Sequence, residues 1–110
     1  MCNVSAFAVF RKFEFLMNKI LSVVCTFQTV KAFLPDMMER RSGHVVTIAS
    51  VAGLIGSNKM TDYCASKFGA VGFAESLEVE LRAGGYDNIY TTTVCPYIID
   101  TGMFDGCQTK

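Results

Sequence analysis

The chain has 110 residues, room for one small domain, and 51% of them are hydrophobic against 18% charged. A domain this small buries only a modest fraction of its surface, so that much apolar material implies a piece of a larger core or a face turned to a partner or a membrane. Ten basic and ten acidic residues cancel without forming a basic stripe, which argues against nucleic acid as a partner.

Five widely spaced cysteines with no CxxC argue against a disulfide framework or a zinc site and read as reduced thiols. No stretch reads as long and apolar enough to span a bilayer. The nearest, residues 1–10, is ended by Arg11 and Lys12 and lacks the charge-first layout of a secretory signal.

From Phe13 to Arg41 the pattern is broadly helical, with Leu21, Val24, Cys25 and Phe27 near helical spacing. Pro35 donates no N–H, so a kink or a fresh turn is expected there. Asp36 and Glu39 just after it would suit a new helix N-terminus. Residues 44–50, HVVTIAS, are short, apolar and β-branched, and read as a buried strand covered on both faces. His44 opens it, at the end of the strand opposite to where ligands bind, and reads as a strand-edge histidine with a local hydrogen bond. Gly53, Gly56, Ser57 and Asn58 mark a loop. Thr61 or Asp62 is expected to cap the next helix, about 63–82, which Gly84-Gly85 stops. Its small residues Gly69, Ala70 and Gly72 suit close packing. Residues 88–95 form a second β-branched strand, and Pro96 ends it. The order helix, strand, loop, helix, strand predicts two parallel strands joined by a crossover, an α/β slice of a Rossmann-like doubly wound sheet.

Tyr63 and Lys67 are four residues apart and share one helix face. An ammonium there favours the phenolate, so Tyr63 could exchange a proton with an alcohol oxygen, and Lys67 could hold a ribose. On its own, Tyr-x-x-x-Lys is better explained by a surface lysine beside a half-buried tyrosine. Ser50 changes the weighing. It ends the first strand, thirteen residues before Tyr63, at the carboxyl edge where parallel sheets bind ligands. Its hydroxyl could donate to a developing oxyanion. Pro96 and Thr101 follow the second strand at the same edge.

At these residues the chain resembles the short-chain dehydrogenases/reductases. The matching stretches are GHVVTIASVAG, DYCASKFGAVGFAESLEVEL and TTTVCPYIIDTGMF, within residues 27–110. The wording is most similar to the retinol dehydrogenase and 17-beta-hydroxysteroid dehydrogenase branch, with FLPDMMERRSGH and CPYIIDTGMFDGC particularly like the retinol dehydrogenase 10 and epidermal type. The resemblance implies NAD or NADP as cofactor, with NAD favoured, and a lipophilic alcohol such as retinol or a steroid as substrate. It implies Ser50 as the substrate-orienting serine, Tyr63 as the acid/base and Lys67 as the ribose-holding lysine. Pro96, Ile99 and Thr101 would line the nicotinamide. It also implies pairing of helices 22–40 and 63–82 across a dimer interface, and association with the surface of the endoplasmic reticulum or of lipid droplets.

The departures are specific. The family's TGxxxGxG loop and its NNAG strand do not occur in these 110 residues. Its catalytic asparagine should fall near position 22, which is Ser22, with Asn18 one turn away. Residues 1–21 match no part of the pattern and are expected to stand apart from a partial catalytic domain over 22–110. Three readings follow: an alcohol oxidoreductase seen in part, an inactive truncated or pseudogene product, or a helix-pairing module that joins a full-length relative. With no phosphate-cradling loop, little or no activity is expected of the chain by itself.

Overall fold

The computed structural model describes the backbone of residues 6–102 and the side chains of residues 19–102. Helix α1 (Ala6–Glu39) leads into strand β1 (Gly43–Ile48), a 3-10 turn (Val51–Gly53), helix α2 (Thr61–Ala83) and strand β2 (Ile89–Val94). The strands pair in parallel, from Gly43 opposite Ile89 to Ile48 opposite Val94. The expected order and the parallel α/β slice are therefore both present. Beyond the strands the ladder continues, with Ala49 N–H donating to the Val94 carbonyl at 2.8 Å and Val51 N–H to the Pro96 carbonyl at 3.0 Å.

Both helices cover the same face of the sheet. Leu77 and Leu81 of α2 and Ile89 of β2 form a buried cluster, against which Val30, Leu34, Met37 and Met38 of α1 and Val45 of β1 pack. Higher on α2, Phe73 meets Phe27 with ring centroids 4.4 Å apart, and a Cβ on Gly69 would lie 3.5 Å from Val23. Contacts thus climb both chains together, so α1 and α2 run the same way. Residues 23, 27, 30, 34 and 37 are the helix-facing stripe that a 3.6-residue repeat provides.

The other face of the sheet is open. Val46, Ile48 and Tyr90 are 53%, 60% and 61% exposed, which corrects the expectation that β1 is covered on both sides. An unbroken apolar run says that a strand has no polar face, and not which neighbours cover it. On this open face His44 Nε2 lies 2.8 Å from Thr92 Oγ1, the local bond expected of it.

Three further expectations are corrected. Helix α1 runs through Pro35 without a break; the residues around the proline, Leu34, Met37 and Met38, are held in the core, which offsets the one lost helical hydrogen bond. Neither Thr61 nor Asp62 caps α2: the N-cap is Met60, without a side-chain bond, and Asp62 lies in the first turn. Finally, Lys19–Glu39 is by length and composition apolar enough to cross a membrane.

The stop of α2 is as expected. Gly85 adopts φ 75°, Tyr86 N–H donates to the Leu81 carbonyl at 2.9 Å and Gly85 N–H to the Arg82 carbonyl at 3.0 Å. This is a Schellman closure, and it folds Tyr86 onto the Leu77–Leu81 cluster. Gly53 performs a different task. A Cβ there would stand 2.6 Å from the Lys67 carbonyl oxygen and 2.9 Å from Val71, so only glycine lets the turn after β1 lie against the backbone of α2.

Two substitutions separate these roles, both read by urea denaturation. Gly85→Ala should cost about 1 kcal/mol, from the left-handed backbone alone. Gly53→Ala should cost about 1–3 kcal/mol, because backbone or a buried valine has to move, and should also shift the amide resonances of residues 50–53 and 67.

Candidate active site

The site is assembled at the carboxyl edge of the sheet. Ser50 follows β1 and caps the 3-10 turn with extended backbone, φ −169° and ψ 159°, its oxygen accepting the Ala52 N–H at 3.1 Å. That bond uses the oxygen as acceptor, so the hydroxyl proton remains able to donate. The turn is anchored twice: by Gly53 against the Lys67 backbone and by Val51 N–H on the Pro96 carbonyl. Beneath it lie only small side chains, Ala49, Ala70 and Val71, with Cys95 packed against them.

Tyr63 sits in the first turns of α2 and is half-buried, as are Ser50 and Lys67. The buried Ser66 hydroxyl donates to the Tyr63 carbonyl at 2.8 Å. Lys67 Nζ stands 5.6 Å from the centre of the Tyr63 ring, close enough for the ammonium to act on the phenol. The one-turn spacing read from sequence thus places the two side chains beside each other. Pro96 is joined to the Ser50 turn through the Val51 bond. Ile99 and Thr101 lie beyond it with exposed side chains, the Thr101 N–H donating to the Ile99 carbonyl at 2.9 Å.

A second lysine, not singled out from sequence, is present. Lys19 Nζ of α1 lies 5.0 Å from the centre of the same Tyr63 ring. The signal that could have revealed it is the stripe of α1 continued one turn upstream: 19, 23, 27, 30, 34. Ser22, at the position expected for an asparagine, is off this stripe and exposed, and its carbonyl accepts the Thr26 hydroxyl at 3.1 Å. The side chain of Asn18 lies outside the described residues. A groove of about 410 Å³ runs between α1 and β1, along Cys25, Thr29, Phe33, Met37 and Val45, and touches none of Ser50, Tyr63 and Lys67.

Comparison with known proteins identifies the family. A family model described as short chain dehydrogenase matches residues 7–110. The chain is 56% identical over 91 residues to short-chain dehydrogenase/reductase family 16C member 6 of Bos taurus, covering 83% of this chain and 29% of that protein. It is 54% identical over 97 residues to retinol dehydrogenase 10 of Homo sapiens, covering 86% of this chain and 28% of that one. Among solved structures, a short chain dehydrogenase/reductase from Burkholderia phymatum in complex with NAD superposes with a TM-score of 0.63 at 36% identity, over 69% of this chain and 27% of its own. The chain therefore spans less than a third of the length of the relatives it matches. On the parallel strands, the tyrosine–lysine turn and these matches together, it belongs to the short-chain dehydrogenase family.

Proposed function

We propose that this stretch is the proton-transfer part of a nicotinamide-dependent alcohol oxidoreductase acting on a lipophilic alcohol such as retinol or a steroid. The observation that carries the reading is the Lys67 ammonium 5.6 Å from the Tyr63 ring, on a helix whose backbone bears the Ser50 turn. Retinol dehydrogenase 10, 54% identical to the chain, supports the substrate class.

The tyrosine, lysine and post-β2 loop fit the ribose and nicotinamide end of a dinucleotide. Tyr63 and Lys67 would hold the ribose, and Pro96, Ile99 and Thr101 would border the nicotinamide, which supplies the hydride acceptor. The Ser50 hydroxyl donates to the substrate oxygen and fixes its position. The Tyr63 oxygen takes the hydroxyl proton as the carbonyl forms. The Lys67 ammonium stabilises charge on that oxygen and keeps the ring in place.

Two measurements test this. In saturation-transfer NMR, the ribose protons of NAD or NADP should receive magnetisation from the chain and lose it in Lys67→Met; equal transfer to both, or none to either, rejects the ribose role. In assays of retinol or steroid oxidation, wild-type turnover should exceed Tyr63→Phe by about 10²–10⁴-fold wherever the chemistry proceeds, and equal rates reject the acid/base role. For the 110 residues alone, with no TGxxxGxG stretch, we expect no turnover above background in either form, so equal rates count against the acid/base role only where the wild type turns over.

A second reading, pairing with another copy or a full-length relative through α1 and α2, is supported by Phe33, Phe68 and Val79, which those helices leave exposed. Association with a membrane surface, of the endoplasmic reticulum or lipid droplets, is supported by the apolar Lys19–Glu39 segment. If pairing occurs, the chain should co-elute with tagged retinol dehydrogenase 10, and Phe68→Glu should abolish co-elution; a monomer at every concentration counts against it.

A further inference from the structure

We propose that Lys19 is a positioning residue for Tyr63: a cation delivered from α1 that, together with Lys67 of α2, holds the phenol ring in its working orientation. The inference rests on the reading of Tyr63 as acid/base. Lys19 Nζ is 5.0 Å and Lys67 Nζ 5.6 Å from the ring centre, both inside the roughly 6 Å over which an aromatic face attracts a cation. The two ammonium groups come from different helices, so the ring is held between elements and not merely along one.

The placement of Lys19 follows from the packing. Because α1 and α2 run in parallel, Phe27 meets Phe73, Val23 meets Gly69, and the next stripe residue upstream reaches the level of Tyr63. Position 22, where the family resemblance puts an asparagine, is turned off the stripe and exposed as Ser22. At this level α1 therefore presents an ammonium to the tyrosine. Proton transfer depends on where the phenolic oxygen lies to within fractions of an ångström, and rotation about the Tyr63 side-chain bonds would carry it away. Ser66 fixes the Tyr63 backbone through its carbonyl, whereas the two cations act on the ring itself.

The test reads ring orientation in the full chain without cofactor. With Lys67 Nζ 5.6 Å from the ring centre, the Lys67 side-chain protons are expected to carry its ring-current shift, defined against Tyr63→Leu. Lys19→Met keeps an unbranched stem and removes the charge; Lys19→Arg keeps the charge. Lys67 shifts should move toward the Tyr63→Leu values in Lys19→Met and stay at wild-type values in Lys19→Arg. A loss of Lys19 packing alone would not be rescued by charge in this way. Unchanged Lys67 shifts in Lys19→Met overturn the proposal. Should Lys19→Met fail to fold, the wild-type chain decides: nuclear Overhauser contacts between Lys19 Hε and the Tyr63 ring are expected, and their absence overturns the proposal as well. Neither readout uses turnover or cofactor, so an inert Lys19 beside a Tyr63 that still governs oxidation would sink this inference alone.

Discussion

Because α1 and α2 lie parallel and share one stripe of side chains, their relative height decides which residues meet at the carboxyl edge of the sheet. A slip of one residue along α1 would move its side chains by about 1.5 Å and turn them by about 100°, enough to carry Lys19 off the Tyr63 ring. What prevents the slip is the Phe27–Phe73 pair and, below it, Leu34 and Met37 set against Leu77 and Leu81. These contacts lie along the helices from Tyr63, yet they set which cations stand beside its ring. The Schellman closure at Gly85 adds to the same constraint. It brings Tyr86 back into the cluster, and Arg41 from the end of α1 donates to the Gly85 carbonyl at 2.9 Å, so both helix ends are tied to each other.

The apolar excess in the composition has a location in the structure. Outward-facing Val46, Ile48, Tyr90 and Val94 of the sheet are exposed, and so are Ile98 and Ile99 beyond β2. Two strands with one covered face make a marginal sheet, and the covered face has few large buried side chains: Leu77, Leu81, Ile89 and Val71 are the main ones. A contiguous apolar face of this kind is a surface that water covers at a cost. The chain spans less than a third of its matched relatives, and the open face lies on the side of the sheet away from α1 and α2.

Features set by short-range chemistry were legible in the sequence. Gly84-Gly85 ended α2 because a left-handed residue there needs no Cβ. The β-branched runs placed both strands within two residues of their observed bounds, Gly43–Ile48 and Ile89–Val94. The Tyr63–Lys67 pair could be read because helix geometry alone brings i and i+4 together. Features set by tertiary contact could not. Pro35 reads as a break until Leu34 and Met37 are seen held in the core. Lys19 reads as one more surface lysine until the direction of α1 relative to α2 is known. The cover on β1 depends on which elements lie beside it, and an apolar run carries no record of them.

The elements can converge on the site only because the side chains between them are small. Ala49 at the strand end, Gly53 in the turn and Ala70 in α2 occupy the space where β1, the turn and α2 come closest. Ala49 and Ala70 are both nearly inaccessible, so no room is left for larger replacements. Any of the three enlarged would hold the Ser50 turn away from the Lys67 backbone. Ser50 is then located by what is missing from its surroundings as much as by its own bond to Ala52. One turn along the requirement is looser: a Cβ on Gly69 would stand 3.5 Å from Val23, an ordinary contact, so the approach of α1 to α2 at that level does not depend on a missing side chain. Small residues at the crossings and larger ones below them perform opposite tasks: the first permit approach, and the second fix where the approach stops.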